Sequence, residues 1–275
     1  MGRVTARVPR VRLDTSTGTV RDRPDAVAVE EPLEIRVGGV ALATTMRTPG
    51  DDFDLAIGHL VTEGLVADGR AVAQLMHCTD VGEDGLPTYN VVDVTLAPGV
   101  SLLAPPRARA ETMTSACGVC GSATIDDVRT RSRYAVADDP LALSPELVVG
   151  LPDALATHQA TFVKTGGVHA AGVFDGDGTA LAVREDVGRH NAVDKVIGAV
   201  VRDRALPLAG HVLVVSARAS FEIVQKASVV GIPVVVAVGA ATSLAVELAR
   251  ECGITLVAFT RAPTMSIYSG AHRLR

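Results

Sequence analysis

Hydrophobic and polar positions repeat with two different periods along the first half of the chain. Alternating positions before and after Gly38-Gly39 are typical of a β-hairpin. Apolar residues at helical spacing follow, between a cap at Asp51 or Asp52 and a stop at Gly64, and they predict a helix. Residues 89–96 alternate again and predict another strand. The first half therefore predicts a small α+β unit.

In the second half, short apolar runs alternate with helical patterns. Ser144-Pro145 is a typical helix start, and a turn at 175–178 separates two predicted strands. The predicted strands cover 168–174, 179–183, 211–215, 234–238 and 254–259, and the predicted helices cover 191–202, 220–230 and 243–251. Such alternation predicts crossover connections and a largely parallel sheet. The expected fold class is α/β, with a mixed sheet, flanking helices and a smaller N-terminal α+β region.

These patterns divide the chain into four segments. Residues 1–25 carry no periodicity, and we expect a flexible N-terminal segment. Residues 26–110 form the N-terminal α+β region, and residues 111–135 form a mobile loop around a C-x-x-C motif. Residues 136–275 form the α/β core, where a cofactor would bind at the carboxyl ends of the strands.

Composition narrows the class of protein. Of the 275 residues, 48% are hydrophobic but only 3% are aromatic and none is Trp, so Val, Leu, Ile and Ala have to build the core. The net charge of −5 offers no basic field for nucleic acid or an anionic membrane. No apolar run reaches membrane-spanning length, and the first ten residues lead into no signal-type apolar segment. We therefore expect a cytoplasmic protein that binds neither nucleic acid nor membrane.

Two of the four cysteines, Cys117 and Cys120, form the C-x-x-C motif. Three chemistries commonly use this spacing: metal ligation, dithiol–disulfide exchange, and carriage of sulfur on a thiolate. A zinc site needs further ligands, and the nearest candidates are His77 and Cys78, about forty residues upstream. That arrangement is not a common zinc spacing, so we expect no metal site.

The surroundings of the motif bear on the two remaining chemistries. A thioredoxin-like dithiol stands at a helix start directly after a strand, whereas this motif follows a Pro-rich loop and contains Gly118 and Gly121. These glycines indicate an exposed and mobile thiol, and Arg107 and Arg109 could favour its thiolate form. A second thiol could release carried sulfur by exchange. Sulfur carriage is favoured, and two buried, inert cysteines are the structural alternative.

Polar side chains cluster where the predicted strands end. The run 184–195 packs charges of both signs, a His and free backbone N–H groups into a strand-to-helix junction. The segments 216–222 and 239–243 end two further strands in hydroxyls, Arg and small residues, and 165–169 precedes another. Backbone N–H groups and Arg at strand ends suit an anionic or nucleotide-like ligand. A structural salt-bridge cluster is the alternative for the charged run.

Taken together, these segments closely resemble the FdhD family of formate dehydrogenase accessory sulfurtransferases. The resemblance runs from about residue 30 to residue 268. The matching segments are Glu31–Ile35, Thr48–Asp52, Cys117–Gly121, Thr165–Ala171, Arg184–Lys195, Ala217–Lys226 and Thr242–Leu248.

The resemblance implies a sulfurtransferase that takes persulfide sulfur from a cysteine desulfurase. It would pass the sulfur to the molybdenum of a bis(molybdopterin guanine dinucleotide) cofactor, bound as a substrate, for the catalytic subunit of formate dehydrogenase. Cys117 would carry the persulfide and Cys120 would assist. The expected cofactor-binding residues are Phe259, Thr260, Arg261, Ala262, Pro263 and Thr264 from the family's C-terminal stretch, together with Gly167, His169, Arg189, His190, Arg218 and Ser220 from the strand-end segments.

The resemblance also bears on the fold and the rival functions. It implies a layered core like that of cytidine deaminases and a homodimer. The deaminase zinc signature is absent, because Ala116 rather than Pro precedes Cys117 and no histidine stands in His-x-Glu. Two alternatives stay open: a non-catalytic cofactor-binding chaperone with a structural or zinc-binding C-x-x-C, and a dithiol oxidoreductase.

Overall fold

A computed structural model describes residues 3–79, 88–103 and 134–275 of the chain. The chain begins with a ribbon of four short strands, β1 (Thr5–Val8), β2 (Val11–Asp14), β3 (Thr19–Asp22) and β4 (Asp25–Ala28). β1 pairs antiparallel with β4, and β2 pairs antiparallel with β3 to form a hairpin. The sequence predicted no regular structure over most of this region. Its strands have only four residues each and little burial, so they carry no apolar period that would reveal them.

A four-stranded sheet follows, and it confirms the predicted hairpin and helix of the first half. Its strands are β5 (Glu31–Val37), β6 (Val40–Arg47), β7 (Val72–Cys78) and β8 (Val91–Leu96), in the order β6-β5-β8-β7. Helix α1 (Asp52–Thr62) connects β6 to β7 and buries one face against the core. A short 3-10 turn, Gly69–Ala71, precedes β7.

The second half forms a six-stranded mixed sheet in the order β10-β9-β11-β12-β13-β14. Its strands are β9 (His169–Phe174), β10 (Ala180–Asp186), β11 (Val212–Val215), β12 (Val234–Ala237), β13 (Thr255–Arg261) and β14 (Thr264–Ser269). Only β11–β12 and β12–β13 pair in parallel. The mixed sheet is thus confirmed, whereas the expectation of a largely parallel sheet is wrong, because the hairpins β9–β10 and β13–β14 add antiparallel strands on both sides.

Helices cover both faces of this sheet. They are α2 (Pro145–Ala156), α3 (Ala160–Thr165), α4 (Arg189–Asp203), α5 (Phe221–Val229) and α6 (Ser243–Cys252), with further 3-10 turns at Val136–Asp138 and Ala271–Arg273. Val212 and Val214 pack with α2 on one face, whereas Leu213 and Val215 point into the core formed with the other helices. This alternation within one buried strand is the period of two that a sheet covered on both faces requires.

A close crossing of α1 and α4 joins the two sheets into one hydrophobic core. A Cβ atom added to Gly58 would lie 1.8 Å from the backbone oxygen of Asp194, and one added to Gly198 would lie 1.9 Å from the backbone oxygen of Asp54. Only glycine therefore lets the two backbones touch at this crossing.

At one edge of the six-stranded sheet lie the strand termini at which a ligand could bind. The parallel strands β11, β12 and β13 end there, and the antiparallel β9 and β14 begin there, because Val215 pairs with Ala171 and Arg261 with Thr264. We call this edge the strand-end edge. Among the described residues no helix is long and apolar enough to span a membrane. The likeness to cytidine deaminases and the division into four segments stay predictions.

Candidate functional site

Backbone hydrogen bonds tie the loops of the strand-end edge into one surface. The N–H of Ala219, after β11, donates to the carbonyl of Ala240, after β12, at 3.0 Å. The N–H of Phe259, near the end of β13, donates to the carbonyl of Gly239 at 2.9 Å. Three segments that are far apart in sequence are thereby fixed beside each other.

Gly239 allows the first two of these loops to approach closely. A Cβ atom at this position would lie 3.1 Å from the carbonyl oxygen of Ala217 and 3.1 Å from both Cα and Cγ of Arg218. The missing side chain thus leaves room for the Arg218 stem. Arg218 is placed at the strand-end edge in this way, as the sequence predicted.

The N-termini of two helices reach the same edge without a side-chain cap. Gly188 precedes α4 and Ser220 precedes α5, and neither residue makes a side-chain capping hydrogen bond in the described structure. In contrast, the Thr242 hydroxyl accepts a hydrogen bond from the N–H of Ala245 at the start of α6. The first N–H groups of α4 stay available to an anion, which the positive end of the helix dipole also favours. At the start of α5 the Glu222 carboxylate accepts hydrogen bonds from its own N–H and from the Ser220 hydroxyl.

Three predicted residues, His169, Arg189 and His190, meet at the start of α4. Burial lowers the pKa of His169, and electrostatic repulsion from Arg189 and His190 lowers it further, which favours the neutral imidazole. The Nε atom of Arg189 is buried and has no hydrogen-bond partner among the described residues. A buried guanidinium N–H without a partner is costly, and a bound anion would satisfy it.

His190 also contacts two residues at the start of α5. Its Nε2 atom lies 3.5 Å from the Ser220 hydroxyl and 3.5 Å from the Glu222 carboxylate. The hydrogen bond from His190 lowers the pKa of Glu222 to about 2, so this carboxylate is ionised. Glu222 is not among the site residues predicted from the sequence, although an acidic residue in the first turn of a predicted helix is a signal that could have identified it.

The end of β13 presents an aromatic ring beside a buried hydroxyl. Phe259 has a φ of 50°, a left-handed conformation that a bulky residue rarely adopts, and 52% of it is exposed. The neighbouring Thr260 is 1% exposed, and its Oγ1 atom has no partner in the described structure. An exposed ring on a strained backbone can stack against a planar heterocycle. Arg261 is exposed beside it.

The remaining predicted residues lie at the margins of this surface. Ala262 and Pro263 form the exposed connection from β13 to β14, and the exposed Thr264 is the first residue of β14. Gly167 precedes β9, where its N–H donates to the Thr165 hydroxyl, and a Cβ atom added to it would lie 3.5 Å from Ala28. Gly167 therefore borders the N-terminal ribbon rather than the loops after β11 and β12.

Most charged side chains of the run 184–195 stabilise the fold, so the alternative interpretation as a structural salt-bridge cluster holds for them. The fully buried Asp186 carboxylate lies 2.7 Å from the Lys195 ammonium and accepts a hydrogen bond from the N–H of Thr48 at 3.1 Å. Arg184 binds the Asp54 carboxylate at 2.8 Å. Only Arg189 and His190 from this run face the strand-end edge.

Glu185 of the same run stabilises a different element. Its two carboxylate oxygens accept hydrogen bonds from the N–H groups of Thr161 and Phe162, both at 2.8 Å. They cap the first turn of α3, a role that the spacing of the residues in sequence does not reveal.

Cys117 and Cys120 lie outside the described residues, as do Arg107 and Arg109. The prediction that Cys117 carries sulfur is therefore not tested by the geometry. Within 3–79, 88–103 and 134–275 no group of three or more His, Cys, Asp or Glu side chains could hold a metal ion.

Comparison with known proteins agrees with this architecture. A crystal structure of a protein from Desulfotalea psychrophila, described as a formate dehydrogenase accessory protein, superposes with a TM-score of 0.74. The match covers 99% of this chain and 100% of that chain at 21% identity, and it confirms the fold.

Some relatives found by sequence comparison share a much higher identity with this chain than that solved structure does. A protein from Streptomyces coelicolor named "Sulfur carrier protein FdhD" is 52% identical over 275 residues, which are 100% of this chain and 97% of the relative. A protein of the same name from Mycobacterium tuberculosis is 50% identical over 278 residues, 100% of each chain. The FdhD/NarQ family profile matches residues 28–275. This chain belongs to the FdhD/NarQ family.

Proposed function

We propose that this chain is a sulfur carrier in the maturation of formate dehydrogenase. The names of its relatives support sulfur carriage, and the motif at Cys117 and Cys120 supplies the thiols for it. The part of the proposal that concerns the sulfur acceptor rests on the arrangement of residues at the strand-end edge. The uncapped N-terminus of α4, Arg189 and Arg218 converge there around a surface suited to phosphates.

The loading step requires an accessible thiolate. We infer that the Cys117 thiolate attacks the outer sulfur of a persulfide on a cysteine desulfurase. The S–S bond of the donor breaks, a new S–S bond forms on Cys117, and the donor cysteine leaves as a thiolate. The reaction is an exchange, so it needs no external oxidant or reductant.

The release step gives Cys120 its assisting role. The Cys120 thiolate attacks the inner sulfur, on Cys117, and a Cys117–Cys120 disulfide forms while hydrosulfide leaves. The two thiols supply the two electrons that reduce the sulfane sulfur to sulfide. A thiol reductant then restores the dithiol before the next cycle.

The acceptor in this proposal is the molybdenum of a bis(molybdopterin guanine dinucleotide), bound as a substrate. Its phosphates would accept hydrogen bonds from the first N–H groups of α4 and from Arg189, while the exposed ring of Phe259 would stack on a planar heterocycle. The chain as a whole is acidic, so the positive charge for such a ligand has to be local.

The partners follow from the same proposal. They are a cysteine desulfurase as the donor and the catalytic subunit of formate dehydrogenase as the client. The cytoplasm as the site of action and the homodimer implied by the resemblance stay predictions.

Calorimetric titration with guanosine diphosphate tests the binding site. We expect Arg189→Ala and Arg218→Ala each to weaken binding about tenfold or more, since each removes a charge-assisted hydrogen bond worth roughly 1.5–3 kcal/mol. Arg204→Ala is the matched control, because this exposed arginine follows the C-terminus of α4, away from the strand-end edge. Equal affinity of all four proteins would exclude this edge as the nucleotide site.

Mass spectrometry tests the carrier itself. After incubation with a cysteine desulfurase and cysteine, the peptide that contains Cys117 should gain the mass of one sulfur, and Cys117→Ala should gain none. Cys78→Ala, which removes a cysteine on β7, should load normally. No gain on the wild-type peptide, together with stoichiometric zinc in the purified protein, would favour the chaperone with a metal-binding C-x-x-C.

A further inference from the structure

Helices α4 and α5 both start at the strand-end edge, and two pairs of opposite charge link them. The Nε2 atom of His190 on α4 lies 3.5 Å from the Glu222 carboxylate on α5. Four residues further along each helix, the Asp194 carboxylate lies 2.9 Å from the Lys226 ammonium. Residues four positions apart share one face of a helix. The two pairs are therefore successive layers of a single contact between α4 and α5.

The inner layer fixes how far the two helices are shifted against each other. Asp194 and Lys226 are buried, and Lys226 also binds the Glu63 carboxylate at 3.0 Å. Any slip of one helix would separate these charges from their partners away from water, which is costly. The outer layer is thereby held at the height where His190 meets Glu222. Both of these side chains reach the surface, since they are 16% and 17% exposed.

The contacts of Glu222 leave one ring nitrogen of His190 for a ligand. The hydrogen bond from His190 is the largest cause that lowers the pKa of Glu222 to about 2, so the carboxylate is ionised. An ionised carboxylate only accepts hydrogen bonds, and the Nε2 atom of His190 must therefore carry a proton. Among the described residues no group binds the Nδ1 atom of this ring.

The other histidine of the site has different surroundings. Burial lowers the pKa of His169, and repulsion from Arg189 and His190 lowers it further. The Asp186 carboxylate acts in the opposite direction, but it is the smallest of these causes and is itself bound to Lys195. Within the described part of the chain, only His190 of the two has a carboxylate as a direct partner. Such a partner favours a charged imidazole, whereas the surroundings of His169 favour a neutral one.

We infer that Glu222 is a positioning residue for anion binding at the strand-end edge: it holds the Nε2–H of His190 and keeps this ring charged, so that the Nδ1–H donates to a phosphate oxygen of the ligand. The inference rests on the proposed function, because it assigns a role within the same site. Glu222 acts through His190 and does not touch the anion, which its own charge would repel. By occupying the start of α5, it directs the phosphate to the N-terminus of α4.

Calorimetric titration with guanosine diphosphate from about pH 5.5 to about pH 8 tests this role. Glu222→Gln keeps the shape of the side chain and removes its charge. At the acidic end His190 is protonated in both proteins, so their affinities should agree within about threefold. At the alkaline end only the wild type keeps the proton, and the variant should bind about tenfold more weakly.

The decisive quantity is the ratio of the two dissociation constants at each pH. This ratio cancels the ionisation of the nucleotide and of every protein group that Glu222 does not affect. A ratio that stays constant across the pH range would overturn the inference. In a His190→Ala background, Glu222→Gln should have no pH-dependent effect, because Glu222 acts through that ring. A pH-dependent effect that persists without His190 would also overturn it.

Glu146→Gln is the matched control. It makes the same change in the first turn of α2, which lies at the opposite end of the sheet, because Leu147 packs against Gly178 in the β9–β10 turn. The affinity of this variant for guanosine diphosphate should equal that of the wild type at every pH.

Nitrogen NMR of the histidine rings tests the contact without a ligand. In alkaline buffer the neutral His190 ring should carry its proton on Nε2 in the wild type, and Glu222→Ala should show a larger share of the Nδ1–H tautomer. A wild-type ring with its proton on Nδ1 would overturn the inference. Failure of the wild type to bind guanosine diphosphate would overturn the proposed binding site together with this role. Binding with a constant ratio would overturn this role alone.

Discussion

The ammonium group of Lys226 lies 2.9 Å from the carboxylate of Asp194, and both side chains are buried where α1, α4 and α5 meet. Burial alone would raise the pKa of Asp194, but the charge of Lys226 and the hydrogen bond from His59 lower it to about 2. The neighbouring Glu63 also binds Lys226, at 3.0 Å. The cluster holds the two halves of the protein together through charges rather than through apolar contacts alone.

Acid should therefore remove part of the stability of this cluster. The folded pKa of Asp194, about 2, lies below its unfolded value of 3.8, so its contribution is present above about pH 4 and is lost as the pH falls toward 2. The size is roughly 2 kcal/mol, from about 1.4 kcal/mol for each pKa unit. Urea unfolding of Asp194→Asn at several pH values should show a shallower acid loss than the wild type. Asp153→Asn, an exposed change on α2, should keep the wild-type slope.

Removal of Lys195 should destabilise the protein strongly. Lys195→Met leaves the fully buried Asp186 carboxylate without its partner at 2.7 Å, which typically costs about 3–5 kcal/mol. Adding Asp186→Asn removes the stranded charge, so the double variant should be more stable than the sum of the single changes predicts. Denaturant unfolding of the four proteins measures the coupling energy. Strict additivity would show that the pair does not act as a unit.

The α1–α4 crossing should tolerate no side chain at its glycines. Gly58→Ala forces a Cβ into the backbone oxygen of Asp194, and we expect a loss of about 3 kcal/mol or more, or failure to fold. Gly150→Ala is the control, because nothing lies within 4 Å of a Cβ built there in α2. That change should be neutral or should stabilise the protein by up to about 1 kcal/mol. Thermal unfolding distinguishes the two, and equal midpoints would contradict the close crossing.

Thr260→Val should have opposite effects on stability and on binding. The change keeps the shape but removes a buried hydroxyl without a partner in the described structure, so the free protein should gain about 0.5–1 kcal/mol of unfolding free energy. If this hydroxyl serves the ligand, affinity for guanosine diphosphate should fall several-fold. Unchanged affinity would mean that Thr260 does not contact the nucleotide.

Much of the second half could be predicted from the sequence, because buried strands and amphipathic helices each impose a local period. The three parallel strands and their helices appear within a few residues of their predicted bounds. The ribbon β1–β4 was not predicted, because its strands are little buried and therefore show no regular alternation of apolar and polar residues. The roles of Arg184, Asp186 and Lys195 were equally hidden, since their partners Asp54 and Thr48 lie more than a hundred positions away.

By itself, the sequence determined the apolar strands, the helices between them, and the concentration of polar residues at the strand ends. The sequence also identified the C-x-x-C motif and the family to which this chain belongs. Only the tertiary structure decided which polar residues share a surface. Parallel strands with crossover helices bring Arg218, Gly239 and Phe259 to the strand-end edge. Residues close in sequence can in turn be separated: Asp186 is buried in the core, whereas Arg189 lies at the candidate site. Burial caused that separation, because a charge inside the protein has to find its partner there, and a charge at the strand ends is left free for a ligand.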